Sequence, residues 1–350
     1  SVTRTVTPTP GRGIDVGVTP RAPSCSTWLA FHTERDGNLE VYRLDGAEGG
    51  SSGKLYNLSQ SSSSKDFSPT RSFDDKWVVF VSNRTGKYQL YRVVSEGKTT
   101  PTQLTSNKGN NLEPMYSPNG TQVVYTSNQN GSWDIYVVTV SSKSEKRITS
   151  GSGDELNPYW SYDGRWIAYE VGKSGSYDLY LINVASGKET QLMNTTAAEH
   201  PPVWSPDGRF IAFERTSGGV TDIYVLTLAT GAETRISDGK SSNLNPAWSP
   251  NSKYLAYDTT RNSKRDVYAY ELATKIETRL TTDKNDDYAP SWNCGGTMVA
   301  FTTNRNLVQN QPQTDIYQVS YKGGTDSAMT TNTKNDYWPE WIPAREVASK

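Results

Sequence analysis

Seven oxygen-bearing side chains recur at one place in this 350-residue chain, each three residues before a proline: Asp66, Asn111, Glu155, Glu199, Asn243, Asp287 and Asp336. Five of the seven are carboxylates. Brought to one circle, they would offer a hard cation such as calcium the oxygen ligands it prefers, with Glu155, Glu199 and Asp287 as candidate ligands. A competing reading comes from the residues 18 positions further on: Arg84, Gln129, Lys173, Ser217, Arg261 and Arg305, with Arg35 in the same place beside the chain's start. Acid meets base in Asp66 and Arg84, Glu155 and Lys173, Asp287 and Arg305, and Asp336 and Arg35. Where the acid becomes Asn111, the base becomes Gln129. This matching favours ion pairs that bridge two loops over a metal site. As surface pairs they would contribute about 0–1 kcal/mol each. Glu199 faces Ser217 and has Arg215 as its nearest base. With its neighbour His200 it is the least accounted for.

Two positions beyond the ring residue the sequence varies: Ser68, Glu113, Asn157, Pro201, Asn245, Ala289 and Trp338. Variation on a repeated frame suits a binding mouth. Tyr288, Tyr337 and Trp338, among acids and amides, have the faces to stack on a sugar or grip a peptide. Packing at the junction between repeats is the alternative use of these rings.

Catalytic signatures are sparse. The only histidines are His32 and His200, in different repeats, which excludes a histidine-rich metal centre. There is no G-x-S-x-G nucleophile elbow and no phosphate-cradling glycine loop before a helix. A formal charge of −1 without a basic block argues against nucleic acid as a partner. No stretch reaches the roughly 18 consecutive apolar residues of a membrane span.

The elements that must position these residues are short strands. The prolines Pro114, Pro158, Pro202, Pro246 and Pro290 stand 44 residues apart, flanked by Pro69 and Pro339. An aromatic follows two residues later, as in Trp160, Trp204, Trp248, Trp292 and Trp341, and then a turn such as "SPDG" 205–208. Proline, Asp or Asn, and Gly fit the successive positions of such a turn. A second strand follows ("WIAY" 166–169, "FIAF" 210–213), then a third ("DLY" 178–180, "DIY" 222–224) and a short fourth ("TRIS" 234–237). Four strands in about 44 residues, repeated around the chain, are the signature of a propeller blade. The Asp before each "IY" is part of the repeat, so a structural role is expected for it. The first unit begins on its second strand at Trp28, and "YWPEWI" 337–342 has no unit after it. The expected fold is therefore an all-β, seven-bladed propeller of four-stranded antiparallel blades, its ring closed by the C-terminal strand completing blade 1. Closure removes exposed sheet edges.

These phrases, "PVWSPDGRFIAF" with "DIY" 222–224 above all, resemble the WD-like propeller repeats of the TolB C-terminal domain family. The resemblance covers roughly residues 26–342. It implies a propeller fold and a place outside the cytoplasm, either periplasmic, secreted or at the cell surface.

Residues 1–24, rich in Thr, Pro and Gly, read as a tether or an arm, residues 25–343 as the propeller, and 344–350 as a tail. A tether implies an upstream anchor. Unit alignment puts Cys25 and Cys294 in the first-to-second-strand turns of blades 1 and 7, neighbours after closure. A bridge there would clasp the seam and imply an oxidising compartment, with two free thiols as the alternative. The segment "TNRNLVQNQPQT" 303–314 reads as a long recognition loop at the same end as the ring residues.

The expected function is a non-enzymatic binding or scaffold domain that docks a protein or peptide over the channel mouth as a sensor or adhesion module. Its candidate residues are Asp66, Glu113, Glu155, Asn157, Glu199, His200, Asn245, Asp287, Tyr288, Asp336 and Trp338. A carbohydrate-binding module and an enzyme with channel carboxylates are the alternatives. No cofactor is expected unless calcium occupies the ring.

Overall fold

The computed structural model describes residues 27–46, 53–173, 176–308 and 311–341. The arm expected over 1–24, Cys25 and the tail at 344–350 lie outside these residues. The described residues form 28 strands in seven four-stranded antiparallel sheets, with no helix. In blade 5 the strands are Ala198–Trp204, Phe210–Ser217, Val220–Thr227 and Ala232–Arg235, paired in sequence order. Blade 1 joins Asp336–Glu340 to Leu29–Thr33, Glu40–Leu44 and Leu55–Asn57, so the chain's last described strand completes its first sheet.

The recurring turn phrase has a physical job. Ser205 Oγ donates to Asp207 Oδ1 at 2.7 Å and accepts from the Phe210 amide at 2.9 Å, while Gly208 takes φ 73°. The same set recurs at Ser161, Asp163 and Gly164, and at Ser117, Asn119 and Gly120. Each turn thus fixes where the second strand starts and which residues it turns inward.

The apolar core lies between blades. One cluster joins Ala168, Leu179 and Leu181 of blade 4 to Trp204, Ile211, Phe213 and Leu226 of blade 5. Across the closure, Ala300, Ile316 and Met329 of blade 7 pack on Leu29, Phe31, Tyr42 and Trp341 of blade 1. The tryptophan of the first strand is the wedge: Trp248 and Trp292 also donate Nε1–H to the carbonyls of Val203 and Ala247 in the preceding blade, both at 3.0 Å.

The expected loop at 303–314 is a hairpin extension. Strands Met298–Val308 and Gln311–Ser320 keep pairing past the sheet body, Asn306 opposite Gln313 and Val308 opposite Gln311. A ribbon projecting beyond its sheet needs no alternating apolar face, so its polar composition reads as a loop.

Candidate functional site

The first strand of every blade carries the same irregularity. In blade 4, Leu156 pairs with Glu170 and Tyr159 with Ala168, so Asn157 and Pro158 together face one residue. This is a β-bulge, and it suits proline because the bulged residue owes no donor to the ladder. The residue before the proline takes a left-handed conformation in six blades: Ser68, Glu113, Asn157, Asn245, Ala289 and Trp338, with φ between 48° and 56°. Asn tolerates this region, whereas a bulky Trp there is an outlier. In blade 5 the position is Pro201, whose ring forbids a positive φ.

The bulges surround an axial cavity of about 440 Å³. All seven first strands line it, Glu113, Asn157, Pro201, Asn245, Ala289 and Trp338 at one end, the mouth, and Arg71, Phe73 and Tyr162 toward the other. Four of the candidate residues therefore reach the channel: Glu113, Asn157, Asn245 and Trp338. Trp338 is 46% exposed, its ring edge-on to Tyr288 at 6.4 Å, and the Arg265 guanidinium lies 5.4 Å from the Tyr288 ring.

The ring residues do not reach the channel. Asp66, Glu155, Glu199, Asp287 and Asp336 are buried inside their own blades. Arg84 holds Asp66 at 3.2 Å, Arg35 holds Asp336 at 3.0 Å, and Arg305 holds Asp287 at 3.1 Å, as the acid–base matching expects. Arg215 serves Glu199 at 2.8 Å. These are buried-carboxylate pairs rather than surface pairs, because the ring position opens a strand that lies beneath its loops. Burial raises Glu155 and Glu199 above the usual carboxylate range and lifts Asp287 to about 7. Asn111 does not pair with Gln129; its amide donates to Gln89 Oε1 at 2.8 Å and Thr105 Oγ1 at 3.0 Å. The Lys173 side chain lies outside the described residues, and Glu155 accepts the Gly151 amide at 3.0 Å. Among the described residues no three His, Cys, Asp or Glu side chains stand together as a metal site, so Glu155, Glu199 and Asp287 do not converge on a calcium.

A second acidic set was missed in the sequence. Glu170, Glu214 and Asp258 occupy one position on the second strands of blades 4, 5 and 6, and Thr126 and Thr302 hold it in blades 3 and 7. They cap the bulges. Glu214 Oε1 accepts the Asn245 amide at 2.7 Å, Asp258 Oδ1 the Ala289 amide at 3.1 Å, and Thr302 Oγ1 the Trp338 amide at 3.0 Å. In blade 3, Glu113 itself reaches the Asn157 amide at 2.7 Å, helped by the Thr126 hydroxyl at 2.8 Å. Pro201 has no amide hydrogen to offer. Glu170 instead accepts from Asn157 Nδ2 at 2.7 Å and from His200 Nδ1 at 2.9 Å. His200 also lies against Tyr177, centroids 4.7 Å apart, and opposite Glu214 in the ladder. Its hydrogen bond to Glu170 raises its pKa. Burial lifts Glu214 to about 7 and Asp258 to about 6, and raises Glu113. The signal in the sequence was a carboxylate directly after the apolar–aromatic core of a strand, in "AYE", "AFE" and "AYD". The other histidine, His32, is half-buried against Tyr337 and held down at about 4 by desolvation.

Family comparison agrees with this architecture. The profile of the TolB beta propeller domain matches residues 98–217, 152–245 and 201–348. The chain belongs to the TolB β-propeller family. A TolB homologue of Chlorobaculum tepidum is 32% identical over 65 residues, 19% of this chain and 15% of the homologue's length. TolB of Acinetobacter baumannii superposes with a TM-score of 0.57 at 18% identity, over 91% of this chain and 83% of that one. A puromycin-hydrolyzing peptidase of Mycobacterium tuberculosis gives a TM-score of 0.67 at 14% identity, over 93% of this chain and 56% of that one. At such identities the two structures share the fold with this TolB-type propeller, and that fold occurs in a TolB and in a peptidase alike. Among the described residues no helix is long and apolar enough to cross a membrane.

Proposed function

We propose that this propeller is a non-enzymatic, extracytoplasmic docking domain that holds a protein or peptide segment across the channel mouth. The observation that carries the reading is Trp338. A tryptophan held at φ 51° and 46% exposed at the rim of an open cavity costs the isolated fold stability, and such strain belongs to sites of recognition. Exposed Trp is also the residue type that most often dominates binding energy. Around it, Glu113, Asn157 and Asn245 offer polar contacts on a rigid frame. Membership of the TolB family supports a binding role and a place outside the cytoplasm. A Cys25–Cys294 bridge would fit that compartment, and Cys294 is buried.

Peptides selected from a displayed library against the propeller test the reading. Binding should be lost in Trp338→Asn, which also relieves the left-handed strain and should raise the melting temperature. It should persist in Arg209→Ala, whose side chain is exposed beside the Ser205–Gly208 turn at the opposite face. Peptides that bind Trp338→Asn as well as the parent protein would sink the proposal.

A further inference from the structure

The second and third strands of blade 7 outgrow their sheet. In blades 1, 2, 3 and 6 the second strand stops level with the first; in blade 1, Thr33 faces both Asp336 and Glu40. It runs on by two residues in blade 4 and by one in blade 5. In blade 7 the first strand begins at Asp287, opposite Thr303, and the second continues to Val308. Among the described residues no strand stands beside this extension on the axial side, where the first strand would be.

The two edges of the ribbon differ. Along the third strand every second residue turns its backbone outward. The Ile316 amide donates to Thr330 Oγ1 at 2.9 Å, and the Thr314 amide to Asn335 Oδ1 at 3.1 Å. Next in that alternation comes Pro312, which has no amide hydrogen, and proline blunts a sheet edge. The outer edge is thus closed at each step. Leu307 faces Pro312 across the ribbon. Opposed residues of an antiparallel pair either bond each other or both turn outward. With Pro312 turned outward, Leu307 turns its N–H and C=O the other way, toward the axis.

This open edge adjoins the rim. Thr302, on the same strand, accepts the Trp338 amide at 3.0 Å. From Thr302 to Leu307 the strand spans roughly 15 Å, with the bulge between Thr303 and Asn306 bending it on the way. An extended segment lying on Trp338 therefore reaches Leu307 within a few residues.

We infer that the docked partner segment adds itself as an extended strand to the axial edge of this ribbon, exchanging backbone hydrogen bonds with Leu307 while one of its side chains rests on Trp338. This deepens the peptide-docking reading and rests on it. The edge fixes the chemistry of the guest. An N–H and a C=O offered by one residue are complemented by another extended backbone. A helix has spent its amides internally, and a proline at the pairing position brings none. Affinity then comes from the guest's backbone and selectivity from its alternate side chains.

Library peptides that need Trp338 are the probe. Each is remade with single backbone N-methyl groups, which delete one amide hydrogen at a time. N-methylation at the pairing residue should weaken binding by about tenfold, and its two neighbours should tolerate it. On the protein, Leu307→Pro deletes the axial amide hydrogen and Leu307→Ala keeps it. Leu307→Pro should weaken the same peptides by about tenfold with melting temperature retained, and Leu307→Ala should bind them as the parent does. By hydrogen exchange, the Leu307 amide should be open in the free protein, beside a slower Asn306 amide, and protected with peptide bound. A Leu307 amide already protected in the free protein overturns the inference. Peptides that need Trp338 but tolerate N-methylation at every residue, or bind Leu307→Pro like the parent, overturn strand addition and leave the docking reading standing. Peptides lost in Leu307→Pro but bound equally by Trp338→Asn do the reverse. A library without binders defeats both. Self-association in sedimentation that Leu307→Pro abolishes would make the occupant a second copy of the chain and overturn the partner assignment.

Discussion

Replacing Arg35 by Met removes the base that holds Asp336 at the ring closure. Arg35 Nη2 donates to both oxygens of Asp336 at 3.0 Å, and the carboxylate is fully buried while the guanidinium is 15% exposed. The variant leaves a buried charge with only the Asn332 amide, at 2.6 Å, and its own ladder for support. Breaking one side of a buried pair costs about 3–5 kcal/mol, well above the roughly 0–1 kcal/mol of an exposed pair. For 350 residues, an unfolding entropy of roughly 2.1 cal/mol/K per residue converts that loss to about 4–7 °C in Tm. Calorimetry of Arg35→Met, Asp336→Asn and the double variant closes a cycle. Asp336→Asn should cost less than Arg35→Met, because the stranded arginine can still reach water. The double variant should recover stability, with a coupling of at least about 1.5 kcal/mol. A shift under about 1.5 °C for Arg35→Met, with no coupling, would mean that the ring acids are hydrated and that their pairing is ordinary surface chemistry.

Three further outcomes follow from the same geometry. With two histidines in the chain, imidazole signals in a pH titration by NMR should separate cleanly, His32 titrating near 4 and His200 above 6.5. Glu170→Gln should lower the His200 value, and an unchanged value would refute the Glu170 contact. Glu214 is held up at about 7 against an ordinary 4.5, so the folded state binds this proton more tightly than the unfolded chain does. Its contribution to stability is greatest below 4.5 and is lost as pH rises toward 7. The Tm of Glu214→Gln relative to the parent should therefore climb between pH 5 and pH 8, and a flat difference would contradict the burial of that carboxyl. Peptide mapping without reductant should recover Cys25 linked to Cys294, and recovery of two alkylated free thiols would remove the proposed seam clasp.

The architecture was legible because one signal repeats. Proline, tryptophan, the Ser–Asp–Gly turn and the apolar–aromatic strand return at fixed spacing, and each has a local reason that one blade already reveals. The acid–base matching was legible too, since Arg35, Arg84 and Arg305 meet the partners their spacing assigns. What spacing could not convey was depth. Asp66 and Asp336 sit where a loop becomes a strand, and whether the boundary lies in water or under the rim depends on how the loops fold over it. The bulge hid the rest. It inserts one residue into the first strand, so side chains on either side of it no longer follow strict alternation. Glu113 and Trp338 thus come to the channel while Asp66 and Glu199 turn into their blades. Glu170, Glu214 and Asp258 each follow the apolar–aromatic core of a second strand, with nothing in the spacing to mark them. Their task, closing a donor in the next blade, exists only after the blades are packed side by side.

Pro201 has a consequence for orientation. A ring of near-identical sectors offers a guest several equivalent headings, and a guest that rotates among them is held without being aimed. One sector here lacks the capped bulge amide of its neighbours, and the contact of His200 with Glu170 is made beside it. Diametric considerations then matter: the aromatic rim lies on blade 1 and the gap at blade 5, so the opening has a front and a back. Under the proposed docking, a chain laid across it would take one preferred compass bearing, and a partner built on that bearing would be fixed in azimuth as well as in place.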